Sequence, residues 1–360
     1  METAVKQQVL ADDGAGRRFV EGSQVQGVLD SSHDELDEHD DDGYGTDSGI
    51  DEGLYTSSLR ESVLDYPMER GRRYHAFRAG KYMLPNDEQE MLRLDLLHEV
   101  MTKRIGNRMF LAPIDGTQVS RILDMGTGTG VWAMEVANSF PNAEVIGNDL
   151  SPIQSHWVPS NLKFEVDDVE SPWACRAPFD FIFGRCLVTS IADWPGLIQS
   201  TYENTQPGGW LELQSFDPVV RCADPTPPEH SAIVEWTSLL VHAGEKLGRD
   251  LFPAEKLEGW VRAGGYENVR SQTFNVPFGT WAKDRALKEL GILFSLQMIQ
   301  GLEAISLKLM CNVLGWEVGR VRELLGRVKG ELEANEQRFY MVFRVVTGQK
   351  PTEKPGRWGG

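Results

Sequence analysis

The run Ile122-Leu123-Asp124-Met125-Gly126-Thr127-Gly128-Thr129-Gly130 concentrates more chemically useful spacing than any other part of this chain. An apolar stretch leads into an acid, three glycines follow at alternate positions, and a helix-forming segment comes next. Glycines so placed permit a tight turn and let the backbone approach a ligand. The N-terminus of the following helix aims free N–H groups at the same spot. The spacing differs from the GxGxxG of dinucleotide-binding dehydrogenases, and the carboxylate of Asp124 disfavours a pyrophosphate. A ligand with a cationic amine and a sulfonium suits that acid. A hydride-transferring dehydrogenase and a turn without any ligand are the competing readings.

Two further acids recur at comparable places. Glu144-Val145-Ile146-Gly147-Asn148 reads as a strand ending at Asp149, about 20 residues beyond the glycines, where an acid takes hydrogen bonds from ribose hydroxyls. Lys163-Phe164-Glu165-Val166 reads as the next strand and leads to Asp167-Asp168, where a carboxylate can accept an exocyclic amine. Each alone is an ordinary loop acid. Three at successive strand ends point to one ligand-binding edge.

The elements that must position these acids follow from periodicity. Arg121–Met125, Glu144–Asn148, Lys163–Val166, Phe179–Phe183 and Gly209–Gln214 are expected strands, alternating with helices over Gly130–Ser139 and Asp193–Asn204. That alternation predicts an α/β Rossmann-like fold, a mainly parallel seven-stranded sheet with helices on both faces. Val269–Phe274 and Arg338–Val346 complete the sheet, a helix covers 254–263, and Trp281 to Lys329 reads as two or three helices. Ahead of the sheet, residues 86–104 form an amphipathic helix capped by Asn86 or Asp87, with Met91, Leu94, Leu97, His98 and Met101 on one face.

Composition sets bounds. The chain has 360 residues and a formal net charge of −18, of which residues 1–60 hold 15 acids against 4 bases. Asp30–Glu52 cannot bury enough apolar surface to offset chain entropy. An acidic remainder does not favour a phosphate backbone, so direct nucleic-acid binding is not expected. No uncharged apolar run reaches about 18 residues, so no membrane-spanning helix is expected; the stretch Leu287 to Met310 reads as buried helix. No secretory signal stands at the N-terminus. Cys175, Cys186, Cys222 and Cys311 lie far apart without His/Cys clustering, so neither a metal site nor a disulfide framework is expected.

The words YHAFRAGKYMLPNDE (Tyr74–Glu88), ILDMGTGTGVWA (Ile122–Ala133), VIGNDLSPIQ (Val145–Gln154), FEVDDVESPW (Phe164–Trp173), FDFIFGRCL (Phe179–Leu187), DWPGLI (Asp193–Ile198), QPGGWLELQSFD (Gln206–Asp217) and GLEAISLKLM (Gly301–Met310) occur in this order. With them the chain resembles class I S-adenosylmethionine-dependent methyltransferases, and more narrowly the fungal LaeA-like group associated with secondary metabolism. The resemblance spans roughly residues 70–350. It implies S-adenosyl-L-methionine as cofactor, with Asp124, Gly126, Gly128 and Gly130 at its methionine end, Asp149 at the ribose and Asp168, rather than Asp167, at the adenine.

In similar enzymes a segment like Tyr74–Glu88 folds over the cofactor, so Tyr74, Lys81 and Tyr82 are candidates to line the site; a packed N-terminal brace is the other reading. Arg185, after the fourth strand, is a candidate to orient the acceptor. The expected organisation is a disordered acidic tail over 1–69, a methyltransferase domain over 70–350 with a lid segment at 70–104 and a helical insertion at 281–330, and a C-terminal tail over 351–360.

No catalytic base is legible. His75, His98, His156, His230 and His242 lack a recognisable partner, and methyl transfer chiefly needs alignment and exclusion of water. Gly184-Arg185-Cys186-Leu187 stands where amino-methylating DNA enzymes carry Asn/Asp-Pro-Pro-Tyr. The acceptor is expected to be a small-molecule metabolite or a protein. A regulatory protein that keeps the fold and works through partners in a nuclear complex is the alternative, with a cytoplasmic or nuclear location in either case.

Overall fold

In the computed structural model the described residues are 62–155, 157–173, 177–188, 190–224 and 230–352. The acidic segment Asp30–Glu52, His156, Cys175 and most of the expected C-terminal tail lie outside them.

A two-residue hairpin, β1 (Met68–Glu69) and β2 (Arg72–Arg73), precedes helix α1 (Glu88–Arg104). Asp87, not Asn86, caps α1: its carboxylate accepts from Glu90 N while also taking a two-pronged contact from Arg72. The cap therefore ties the hairpin to the helix.

Then come β3 (Arg121–Met125), α2 (Val131–Ser139), β4 (Glu144–Asp149), β5 (Leu162–Val166), β6 (Phe179–Arg185), α3 (Trp194–Asn204) and β7 (Thr205–Phe216). The two-residue β8 (Arg221–Cys222), α4 (Ala232–Lys246), α5 (Pro253–Ala263) and β9 (Glu267–Pro277) follow. The chain ends in α6 (Arg285–Lys308), which runs into a π-helical turn over Leu309–Val313, α7 (Val318–Ala334) and β10 (Phe339–Gln349).

The sheet order is β5-β4-β3-β6-β7-β10-β9, with β8 continuing the β7 edge of β10. The first five strands are parallel and β10 runs antiparallel between β7 and β9. This is the expected α/β arrangement of seven strands plus one short extension. Side chains alternate between its faces. Ile122, Phe181 and Phe183 pack with Trp132, Ala133 and Val136 of α2, whereas Leu123, Met125 and Ile182 pack with Leu197 and Ile198 of α3 and Leu257 of α5.

A separate apolar cluster joins α1, α4, α6 and α7 to β9 and β10 through Leu97, Trp236, Phe294, Leu324 and Phe343. Helix α4 was not foreseen from the sequence, although Ser231 caps it at Val234 N. Its apolar face packs on α6, α7 and the π turn, with Trp236 Nε1 donating to Ser306 Oγ at 2.7 Å. Arg285–Val313 is the one described helical span long and apolar enough to cross a membrane; 61 % of its apolar 18-residue stretch is buried inside the protein, which makes it a core helix.

Candidate functional site

Strand ends and the glycine turn build the site. β3 ends at Met125 and the chain turns through Gly126, Gly128 and Gly130, all left-handed, with φ of 64°, 58° and 81°. A side chain at Gly126 would meet Leu187 Cδ2 at 2.5 Å and one at Gly130 would run into Phe164, whereas a Cβ on Gly128 meets only Leu94 at 3.7 Å. Gly128 thus faces open space, and Gly130 is packed away as the N-cap of α2.

Two adjoining cavities lie on this edge. The first encloses about 890 Å³ including its mouth and is lined by Gly126, Gly128, Asp149, Asp167, Asp168 and Arg185, among others. The second, about 450 Å³, shares Gly126, Gly128 and Arg185 and adds Asp124, Thr127 and His98. All three carboxylates read from the sequence therefore converge with the turn. Tyr82 and Lys81 also line the first cavity. Gly130 and Tyr74 line neither; Tyr74 is buried, with Lys308 Nζ 4.0 Å over its ring.

Asp124 is buried, and only Thr127 Oγ1 donates to it, at 2.6 Å; burial pushes its carboxyl up to about 7. Asp149 accepts from Gly128 N at 2.9 Å and Ser151 N at 3.1 Å, and burial still pushes it up to about 6. At both acids burial outweighs the donors, a hydroxyl at Asp124 and backbone N–H groups at Asp149. Asp168 differs: Lys81 Nζ donates to its Oδ2 and Glu170 N to its Oδ1 at 3.1 Å. Lys81 also pairs with Glu170 at 3.1 Å, and Asn86 donates to Ser151 Oγ at 3.0 Å. These contacts fasten the 74–88 segment across the cleft.

Arg185 and His98 meet beside the glycine turn. Arg185 lines both cavities of the glycine turn, and burial lowers its guanidinium from the usual range while Asp124 and Glu135 oppose that shift. His98 does have partners. Arg185 Nη2 donates to its Nδ1 at 2.6 Å, so Nε2 holds the proton and donates to Glu135 Oε2 at 3.1 Å. Burial, reinforced by Arg185, lowers the imidazole to about 3, which keeps it neutral. His75 also lines the first cavity and accepts from Tyr82 N at 3.3 Å; burial lowers it to about 4. His230 and His242 sit on the surface.

Cys186 was not singled out as a site residue from the sequence. It adopts φ 56°, rare for a residue with a side chain, and lines both cavities. The late word GLEAISLKLM also gains a role: a Cβ at Gly301 would meet Arg93 Cδ at 2.6 Å, so the glycine admits the arginine.

Comparison with known proteins agrees with this geometry. A methyltransferase domain model matches residues 68–271, more than half the chain. The methyltransferase pytC of Aspergillus terreus is 42 % identical over 303 residues, which is 84 % of this chain and 93 % of that protein. The secondary metabolism regulator LAE1 of Cochliobolus heterostrophus is 34 % identical over 292 residues, 79 % of this chain and 95 % of its own length. Among solved structures, phosphoethanolamine N-methyltransferase 2 of Haemonchus contortus in complex with S-adenosyl-L-methionine matches at 16 % identity and TM-score 0.39, covering 84 % of this chain and 59 % of that one, too loosely to bear on the acceptor. The chain belongs to the methyltransferase domain family: it is an S-adenosylmethionine-dependent methyltransferase related to pytC and to the LaeA and LAE1 regulators of fungal secondary metabolism.

Proposed function

We propose that the two adjoining cavities hold S-adenosyl-L-methionine as one site and that its methyl group passes to a small-molecule metabolite. Asp124, Gly126 and Gly128 hold the methionine end, Asp149 the ribose hydroxyls and Asp168 the adenine. Arg185 offers its guanidinium to the methionine carboxylate rather than to the acceptor, steadied by His98. Gly130 serves the helix start alone. The observation that carries this reading is the convergence of Asp124 and Asp149, two carboxyls that burial raises above their ordinary value, around a glycine turn open at Gly128.

The cofactor, when bound, supplies an electrophilic methyl on a cationic sulfur; transfer breaks the sulfur–carbon bond and leaves the electron pair on sulfur as a neutral thioether. The protein's own part is alignment and dryness. Lys81 and Asn86 hold the 74–88 segment over the cleft, and the two acids balance the cofactor's positive charge. No group on these walls has to act as a base for an acceptor that brings a free lone pair.

A second reading has one observation in its favour: several relatives at 33–34 % identity are named secondary metabolism regulators. In that reading the chain keeps the cofactor site and acts through protein partners. A cytoplasmic or nuclear location goes with both, and Cys186, Cys222 and Cys311 are free thiols, the state a reducing compartment maintains. Incubating the protein with methyl-labelled S-adenosyl-L-methionine and extract of the source organism separates them. Label in organic-soluble products supports the small-molecule acceptor; label confined to protein overturns it.

A further inference from the structure

A third cavity, of about 940 Å³ including its mouth, lies beside the cofactor cleft between α1, α4, α6 and the ends of β7 and β10. Its polar wall residues, among the described ones, are Tyr82, Arg93 and Cys186; the rest are apolar or aromatic, with Trp236, Leu240, Met298 and Leu309 giving its floor and sides. Tyr82, Leu94 and Cys186 line this chamber and the cofactor cleft alike, so the two are separated by single side chains.

We infer that this chamber is the acceptor site and takes a small, largely apolar molecule that presents one carbonyl, enol or phenol oxygen to Arg93. The inference rests on the cofactor reading above and names the substrate class for that same site.

Three observations support it. First, the guanidinium of Arg93 is buried yet incompletely used. Nε and Nη2 donate to Glu90 at 2.9 and 2.7 Å, and Nη1 donates to Gln297 at 2.9 Å, which accounts for three of five N–H groups. A buried donor left without an acceptor is costly, so the remaining N–H groups call for an oxygen. The Glu90 partner cancels the charge, which favours a neutral or weakly acidic oxygen over a phosphate or carboxylate.

Second, the chamber reaches inward to Trp236 and Leu309, which are 2 % and 3 % exposed, a depth suited to an organic molecule and not to the surface of a folded protein. The π-helical turn at Leu309–Val313 puts Leu309 on this wall, and such turns concentrate at functional sites.

Third, Cys186 holds a left-handed conformation at the junction, and such rare backbone is kept where the surroundings impose it. Burial raises both the Tyr82 phenol and the Cys186 thiol, so each stays protonated at neutral pH. The wall thus lacks a base, and the acceptor's nucleophile must ionise unaided or carry its own lone pair.

The test compares 2-naphthol with 2-methylnaphthalene, in which a methyl replaces the hydroxyl, binding to the full chain saturated with S-adenosylhomocysteine and followed by tryptophan fluorescence. 2-Naphthol is expected to bind about tenfold more tightly. Leu240→Trp, which fills the chamber from α4, is expected to abolish 2-naphthol binding while S-adenosylhomocysteine affinity by calorimetry stays within twofold. Equal affinity for the two probes, no binding of either, or 2-naphthol binding that survives Leu240→Trp would each overturn the chamber assignment. Failure of S-adenosylhomocysteine itself to bind would instead overturn the cofactor reading.

Discussion

The cofactor cleft and the apolar chamber share four side chains, Tyr82, Leu94, Leu97 and Cys186, but are built in opposite ways. The cleft takes its key residues from the C-terminal ends of neighbouring parallel strands, where a short run of sequence sets each acid or glycine in place. Asp124, Asp149 and Asp168 come together because β3, β4 and β5 pair in register, with Asp124 opposite Gly147 and Asp149 opposite Val166. The chamber draws its wall from α1, α4, α6, β7 and β10, with Arg93 and Met341 lying 248 positions apart. A cofactor common to many proteins is served by a locally encoded site. An acceptor particular to one protein is served by side chains that only the folded chain brings together.

The largest expected effect falls on the cleft. Asp124→Asn should weaken S-adenosyl-L-methionine binding about hundredfold, because a neutral amide no longer balances a buried cation. The melting temperature of the free protein should hold or rise, since the substitution removes a carboxyl that resists ionising there. A large loss of stability would mean Asp124 serves the fold instead. The glycines come next and should split by location. Gly130→Ala forces a side chain into Phe164 at positive φ and should cost about 2 kcal/mol of stability by denaturant unfolding. Gly128→Ala should cost about 1 kcal/mol and show mainly as weaker cofactor binding.

The pH response follows from burial. Both acids titrate above their ordinary value of 3.8, so the native state holds protons that the unfolded chain has lost. Their contribution therefore favours folding below about pH 4 and declines as pH rises towards about 7. Cofactor binding needs the ionised forms, so affinity should be about hundredfold lower at pH 5.5 than at pH 8, and Asp124→Asn should flatten the profile. The smallest effect belongs to the strap: Lys81→Met removes a partly exposed contact to Asp168 and Glu170 and should speed cofactor release only about threefold, measured by stopped flow.

Much of this contrast was legible before folding was considered. The strand–glycine–helix run and the acids at 149 and 168 were readable because their spacing is local and follows the period of the fold. Arg185 was visible as a residue after the fourth strand, but its neighbour His98 sits 87 positions away on α1, so its direction was not. Helix α4 lacked a legible partner for its apolar face, which packs on segments beyond residue 300. Arg93 was not singled out on the amphipathic helix; its burial depends on Gly301 and Gln297 far downstream.

Calorimetric titration of the full chain with S-adenosyl-L-methionine at pH 6.5, in two buffers of different ionisation enthalpy, reads the cleft directly. Saturable one-to-one binding with net proton release, lost on Asp149→Asn and Asp124→Asn, is the expected result. No binding heat from the unaltered protein, or binding that both substitutions leave untouched, would contradict it.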